Sequence, residues 1–291
     1  MKKILMAIMI SGYLTGCSNQ EEKVDKSKLT GSDYRLFQET PAWPLAKAVE
    51  AEDTSRIKTE VIENRIDPDY QESRYGNTLL MMSIFNNDYA SAKTLLDVGA
   101  DPNLRDKHRG ATAVIDAAAN KDSKYLKLLL AYKGNPNVVE NKPVKDDDSP
   151  MQTALTSAIS YYDANSLEKV TLLIESGADV NYPNNNSNTD LPIGIAIKRN
   201  KMDVALYLLE KGADYKKVMY KMINGHDVYI LEALRKSMLD LQSLEYQKKL
   251  AVIAFLKSKG LDYYKEPIPD YILKEIKKKY PKNWEEYARK Y

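Results

Sequence analysis

Apolar residues along the chain come in short bursts with neighbours three and four positions apart, separated by polar, turn-forming clusters. Leu126, Leu129 and Leu130 illustrate the spacing, which lays one apolar stripe along a helix. The bursts end alike: LLDVGADPN from Leu95, LLAYKGNPN from Leu129, LIESGADVN from Leu173 and LLEKGADYK from Leu208, with worn copies VIENRIDPD from Val61 and FLKSKGLDY from Phe255. The acid or amide of each copy, Asp67, Asp101, Asn135, Asp179, Asp214 and Asp262, is separated from the next by 34, 34, 44, 35 and 48 residues. A fixed period with two stretched intervals is an internal repeat. Gly99, Gly177 and Gly212 stand where the second helix of each unit must stop, and glycine enters the left-handed region there without a Cβ penalty. Thr78, Thr112 and Thr153 stand just before the first helix, where a hydroxyl can accept from an unpaired backbone N–H. One unit cannot bury its own stripe, so units stack into a rod whose end copies become caps.

Between two marks, RDKHRGATAVIDAAANKDSKYLKLLLAYKGNPN runs through turn, threonine, short helix, polar turn and longer helix, and YGNTLLMMSIFNNDYASAKTLLDVGADPN repeats the order. These segments resemble ankyrin repeats, over residues 40–215 closely and 216–265 loosely. The resemblance implies an all-α ankyrin-repeat solenoid, helix-turn-helix units with finger loops, closed by an expanded C-terminal helical cap. Family copies carry Pro-Leu-His after the threonine; here the positions read Leu79–Met81, Ala113–Ile115 and Ala154–Thr156, without histidine, which predicts weaker bonding in the loops. At Lys133 the family's glycine is displaced to Gly134, which predicts an irregular turn.

Two insertions lie between the marks, the first of them in the 44-residue interval. VVENKPVKDDDSPM follows Asn137 and includes the acids Asp146, Asp147 and Asp148; NYPNNNSNTD spans Asn181 to Asp190. Insertions in repeat proteins map to loops on one face, often the binding face. After residue 217 long helical stretches predict elongated helices in a last, expanded repeat, which together with a C-terminal helical cap occupies 218–291. The tail PIPDYILKEIKKKYPKNWEEYARKY predicts a small helical cap, its rival a basic membrane-touching helix diluted by Glu275, Glu285 and Glu286.

The opening residues form a different pattern. Lys2 and Lys3 precede an apolar run from Ile4 to Tyr13, too short to span a bilayer and arranged as an export signal. LTGC, ending at Cys17, resembles the bacterial lipoprotein junction, which implies cleavage after residue 16 and acylation of Cys17, the single cysteine. Residues 17–32 are polar and charged, predicting a flexible tether, with the repeats over 33–217. By resemblance, Ser18 in place of aspartate directs the anchor to the outer membrane, facing the periplasm, rather than to the inner membrane.

Charge narrows the partners. The chain has 43 basic and 41 acidic residues, and Lys2 and Lys3 leave with the signal, so the remainder is neutral. Phosphate backbones need a basic excess, so nucleic acid is excluded as partner. The two histidines, His108 and His226, and a lipid-bound cysteine assemble no thiol–imidazole pair and no multi-histidine metal site, so neither catalysis nor a cofactor is expected. Binding remains. Candidate contacts at finger tips are Tyr70, Arg74, Tyr75, Arg105, Lys107, His108, Arg109, Asp146, Asp147, Asp148, Tyr182 and Asn184, joined by Tyr161 and Tyr162 after a first helix. Tyrosine and arginine are common interface anchors. Tethered ankyrin lipoproteins resemble immunity proteins of type VI secretion systems, which implies a phospholipase effector as protein partner. The alternative is a periplasmic scaffold or stress-protection factor assisting another enzyme.

Overall fold

The computed structural model describes residues 22–141, 151–160, 165–182 and 190–291. Six helical pairs follow one another: α1 (Trp43–Glu50) and α2 (Thr54–Ile62), α3 (Leu79–Phe85) and α4 (Tyr89–Asp97), α5 (Ala113–Ala119) and α6 (Ser123–Ala131), α7 (Ala154–Ser160) and α8 (Ser166–Glu175), α9 (Pro192–Lys198) and α10 (Met202–Glu210), α11 (Ile230–Lys236) and α12 (Leu244–Ser258). First helices pack on first helices and second on second along the rod. α5 packs on α7 in the first row, where small residues are buried on both: Ala113, Ala117 and Ala118 of α5, Ala154 and Ala158 of α7. The second row buries leucines such as Leu95, Leu126, Leu129, Leu173 and Leu208. Each contributes about 1.5–3 kcal/mol relative to exposure. Lys169 of α8 reaches across to the preceding unit, its Nζ donating to the carbonyls of Ala118 at 2.7 Å and Asn120 at 2.8 Å at the C-terminus of α5. A cation there suits the helix dipole.

Caps explain where the helices start. Asp53, Asp88 and Asp122 accept from backbone N–H groups of Arg56, Ser91 and Lys124, each at 2.9 Å. Thr78 accepts from Met81 N at 3.3 Å, as expected. Thr153 and Thr156 cap each other, Thr156 N donating to Thr153 Oγ1 at 3.0 Å and Thr153 N to Thr156 Oγ1 at 2.8 Å. Thr112 departs from expectation: Ile115 N donates to the Thr112 carbonyl at 3.0 Å, and the Thr112 hydroxyl is buried without a partner.

The turn at Lys133 is regular, against expectation. Lys133 itself takes the left-handed conformation, φ 63°, where Gly99, Gly177 and Gly212 have φ of 103°, 91° and 95°. Lys133 N donates to Leu130 O at 3.1 Å and Gly134 N to Leu129 O at 2.9 Å, as Gly99 N does to Leu96 O at 3.1 Å and Ala100 N to Leu95 O at 2.9 Å. Gly134 therefore replaces the alanine of the other copies. Glycine is needed there because a Cβ would come within 2.7 Å of Val114 Cγ2.

Loop bonding is also stronger than the missing histidines predict, because buried carboxylates replace them. Glu72 Oε1 accepts from Tyr75 N and Asn77 N at 2.7 and 2.9 Å, and Asp106 accepts from the backbone N–H groups of His108, Arg109, Gly110 and Ala111. Successive units are tied by a ladder in which Asp69, Asn103, Asn137 and Asn181 accept from the backbone N–H of Asp101, Asn135, Asp179 and Asp214 at 2.7–2.8 Å.

Both ends depart from the sequence reading in detail. Residues 22–32, the described part of the segment expected to be a flexible tether, dock on the first units: Leu29 packs against the core, and Arg74 Nη1 donates to the carbonyls of Lys26 at 2.5 Å and Leu29 at 2.8 Å. At the other end, α11 has ordinary length and only α12 is elongated, with 15 residues. An antiparallel ribbon of β1 (Tyr220–Lys221) and β2 (Asp227–Val228) precedes them, unforeseen from the sequence. Beyond α12, α13 (Asp270–Lys279) and α14 (Trp284–Lys290) form the cap. Tyrosines close it: Tyr287 and Tyr291 stack at 5.6 Å, Tyr263 Oη donates to Tyr291 O at 2.7 Å, and Tyr291 Oη donates to Arg235 O at 2.6 Å. Among the described residues no helix is long and apolar enough to cross a membrane.

Candidate functional site

A cavity of about 570 Å³ lies where three consecutive first helices face the fingers. Ile115 and Asp116 of α5 lie on one wall with Ala119, four and three residues on, because residues three and four apart share a helix face; Thr156 and Ser157 of α7 and Ile195 and Lys198 of α9 supply others. Arg109, Glu140 and Gln152 enter from the fingers, joined by Arg105↔Thr112 and Val139↔Thr153 bridges that fix their loops.

One arginine organises three carboxylates. Arg109 Nη2 lies 2.5 Å from Asp116 Oδ1 and 3.5 Å from Asp106 Oδ2, and its Nη1 lies 3.3 Å from Glu140 Oε1. Burial works against the Arg109 charge, but Asp116, Asp106 and Glu140 outweigh it and hold the guanidinium above its ordinary pKa. Asp116 is only 6% exposed, and burial pushes its carboxyl up to about 6 in spite of Arg109. Its Oδ2 has no hydrogen-bond partner. On the α9 wall, Lys198 pairs with Asp190 at 3.2 Å. Among the described residues no group of His, Cys, Asp or Glu side chains could hold a metal ion.

A second, more apolar groove of about 910 Å³ lies beside the ribbon, lined by Ile197, Tyr220, Met222, Met238 and Tyr271 among others. Ile223, at the tip of the ribbon, is fully exposed.

The residues expected as contacts separate by their surroundings. Lys107 and His108 are exposed at the second finger, His108 edge-on to Tyr75 with ring centroids 6.1 Å apart. Arg109 turns into the cavity. Tyr70, Arg74, Tyr75 and Arg105 are engaged within the chain: Tyr70 sits against Phe37 at 6.1 Å, Tyr75 Oη donates to Leu29 O at 3.1 Å, and Arg105 Nη1 donates to Gly110 O at 2.5 Å and Val139 O at 2.7 Å. Tyr182 is half-buried in the turn after the fourth pair. Cys17, Asp146, Asp147, Asp148, Tyr161, Tyr162 and Asn184 lie outside the described residues. Asp116, Glu140 and Gln152, which form the cavity with Arg109, escaped the sequence reading. A signal for Asp116 existed: it is the single charge in the otherwise apolar helix AVIDAAA.

Comparison with known proteins agrees with this geometry. The family model described as ankyrin repeats (three copies) matches residues 45–141, 80–184 and 114–219. Among solved structures, the ankyrin repeat protein EF0377 is similar at a TM-score of 0.50 and 22% identity, covering 74% of this chain and 96% of that one. The ankyrin repeat domain of human ASB11 is similar at a TM-score of 0.51 and 18% identity, covering 78% of this chain and 87% of that one. No curated protein matches the sequence. Ankyrin repeats generally mediate protein–protein interaction, offering an extended concave surface to the partner. With the family model spanning more than half of its length, the chain belongs to the ankyrin-repeat family.

Proposed function

We propose that this chain is a membrane-tethered periplasmic module that binds another protein in the groove of its first helices, and that it is an immunity protein neutralising a phospholipase effector of a type VI secretion system. The observation carrying the binding part is the cavity over α5, α7 and α9: it is concave, charged and bounded by consecutive repeats, the surface on which repeat rods take up partners. The address rests on the leader, with Lys2, Lys3, the apolar run to Tyr13 and the LTGC junction at Cys17, and the partner class on the resemblance of a tethered ankyrin lipoprotein to immunity proteins. Acyl chains on Cys17 would hold the body close to the bilayer. Residues 22–32 dock on the first repeats, so four residues, 18–21, separate Cys17 from the body, a reach of at most about 18 Å from Cys17 to residue 22. A guard kept there meets a lipase at the surface the enzyme attacks, and one-to-one obstruction of its active-site mouth or membrane-docking face suffices.

The test is co-expression in the periplasm of a model bacterium with each secreted lipase encoded beside its gene. Restored growth with one of them, dependent on this chain, supports the reading. Unchanged toxicity across all of them rejects immunity, and binding without rescue favours a scaffold.

A further inference from the structure

We infer that the cavity between α5, α7 and α9 is a socket for a basic side chain, an arginine or lysine, presented by the protein partner. The inference rests on the reading of this groove as the binding face and adds the chemistry of the group that enters it.

Charge is out of balance at one wall. Asp106, Asp116 and Glu140 gather on the single cation Arg109, at 3.5, 2.5 and 3.3 Å. Asp106 satisfies its excess with backbone N–H groups of its own finger, and Glu140 Oε2 accepts from Gln152 N at 2.9 Å. Asp116 has no such outlet. Its Oδ1 takes Arg109, while Oδ2, buried, takes nothing, and the residue lines the cavity. Buried polar atoms are nearly always paired, and an orphaned carboxylate oxygen costs the fold free energy that a donor would return.

The donor that suits this place is cationic. A neutral group would satisfy the lone pair and leave the surplus charge, whereas an ammonium or guanidinium does both, and hydrogen bonds between ions are about twice as strong as neutral ones. The rest of the cavity accepts the stem of such a side chain. Ile115, Ala119 and Ile195 give apolar contact for methylenes, and a volume of about 570 Å³ leaves room for a long side chain. The basic groups of the opposite wall do not compete for Asp116: Lys198 pairs with Asp190 at 3.2 Å, and Arg199 is itself engaged.

The test titrates the ¹⁵N-labelled full chain with three blocked tripeptides, Gly-Arg-Gly, Gly-Lys-Gly and the uncharged isostere with citrulline in place of arginine. The expected result is saturable shifts at the amides of Ala119, Gln152 and Ser157 with the two cationic peptides, at least tenfold weaker with citrulline. Asp116→Asn should weaken the arginine peptide tenfold while leaving the remaining spectrum in place. Ala119→Lys, one turn beyond Asp116 on the same face, supplies an ammonium in cis and should block the peptides, which keeps the test decisive if the asparagine variant misfolds. Absence of saturable shifts at the cavity, equal binding of citrulline, or undiminished binding by a folded Asp116→Asn protein overturns the socket. A lipase that is neutralised equally by wild type and Asp116→Asn overturns it too, while leaving the function proposed above intact; failure of wild type to neutralise any lipase strikes that function instead.

Discussion

Lys133→Gly should stabilise the protein, although it removes a side chain and introduces the most flexible residue. Lys133 holds φ at 63° in a turn with the same two hydrogen bonds as the glycine turns at Gly99, Gly177 and Gly212. At those three glycines an added Cβ would meet nothing within 4 Å, so the penalty for a side chain in this turn is torsional rather than a collision. A non-glycine residue in the left-handed region costs about 1–2 kcal/mol. Glycine returns about 0.4–1 kcal/mol of this through the extra freedom of the unfolded chain. The net gain is about 0.5–1 kcal/mol, because the exposed Lys133 side chain gives up little packing. Gly177→Lys is the mirror experiment and should cost the same amount. Urea unfolding followed by far-ultraviolet circular dichroism measures both, the slope staying constant while the midpoint moves up for one variant and down for the other. A midpoint that falls or stays put for Lys133→Gly would show that the strain at this turn has been misread.

Asp106→Ala should destabilise by about 3 kcal/mol, since it strands several buried N–H groups of the second finger and removes a counter-charge from Arg109; chemical denaturation measures it. Burial, helped by Arg235, lowers the pKa of Lys249 from 10.5 to about 7. The unfolded chain therefore binds a proton that the fold refuses until pH falls to about 7, and stability should rise between pH 7 and 9, by up to about 3 kcal/mol. Lys249→Met should flatten that rise, and an unchanged slope would place the lysine in contact with water. Ile223→Ser, at the exposed ribbon tip, should move stability by less than about 0.5 kcal/mol. Leu29→Asp should release residues 22–32 from the first repeats, read as faster proteolytic clipping there with the solenoid intact.

The repeats were legible because each mark carries its own physics. Gly99, Gly177 and Gly212 announce left-handed turns, and leucines three and four apart announce buried stripes, so pairing and stacking followed. Lys133 misled because residue identity was read in place of backbone need: the turn is imposed by Leu129 and Leu130 on one side and the Asn103 ladder on the other, and lysine is forced into it. Thr112 misled because a threonine in place does not by itself make the cap: Ile115 N bonds to the Thr112 carbonyl at 3.0 Å, whereas Met81 N and Thr156 N bond to the hydroxyls of Thr78 and Thr153. The groove was hardest to see. Arg109 was recognised as an exposed fingertip cation, but its partners Asp116 and Glu140 lie seven and 31 residues away, brought together by stacking rather than by any local pattern. Arg74 and Tyr75 read as contacts for a partner, and the structure has them holding the chain's own N-terminal segment. The chain's 21 tyrosines are in part explained by the cap, where Tyr246, Tyr263, Tyr287 and Tyr291 bond to backbone carbonyls near the end of the rod.

Hydrogen exchange on the complex with a protein that this chain binds decides whether the groove does the binding. Amides in α5, α7, α9 and the finger around Arg109 should slow on complex formation, with α6, α8 and α10 on the opposite side unchanged. Protection confined to those second helices, with the groove exchanging as in the free protein, would contradict recognition by the first-helix face.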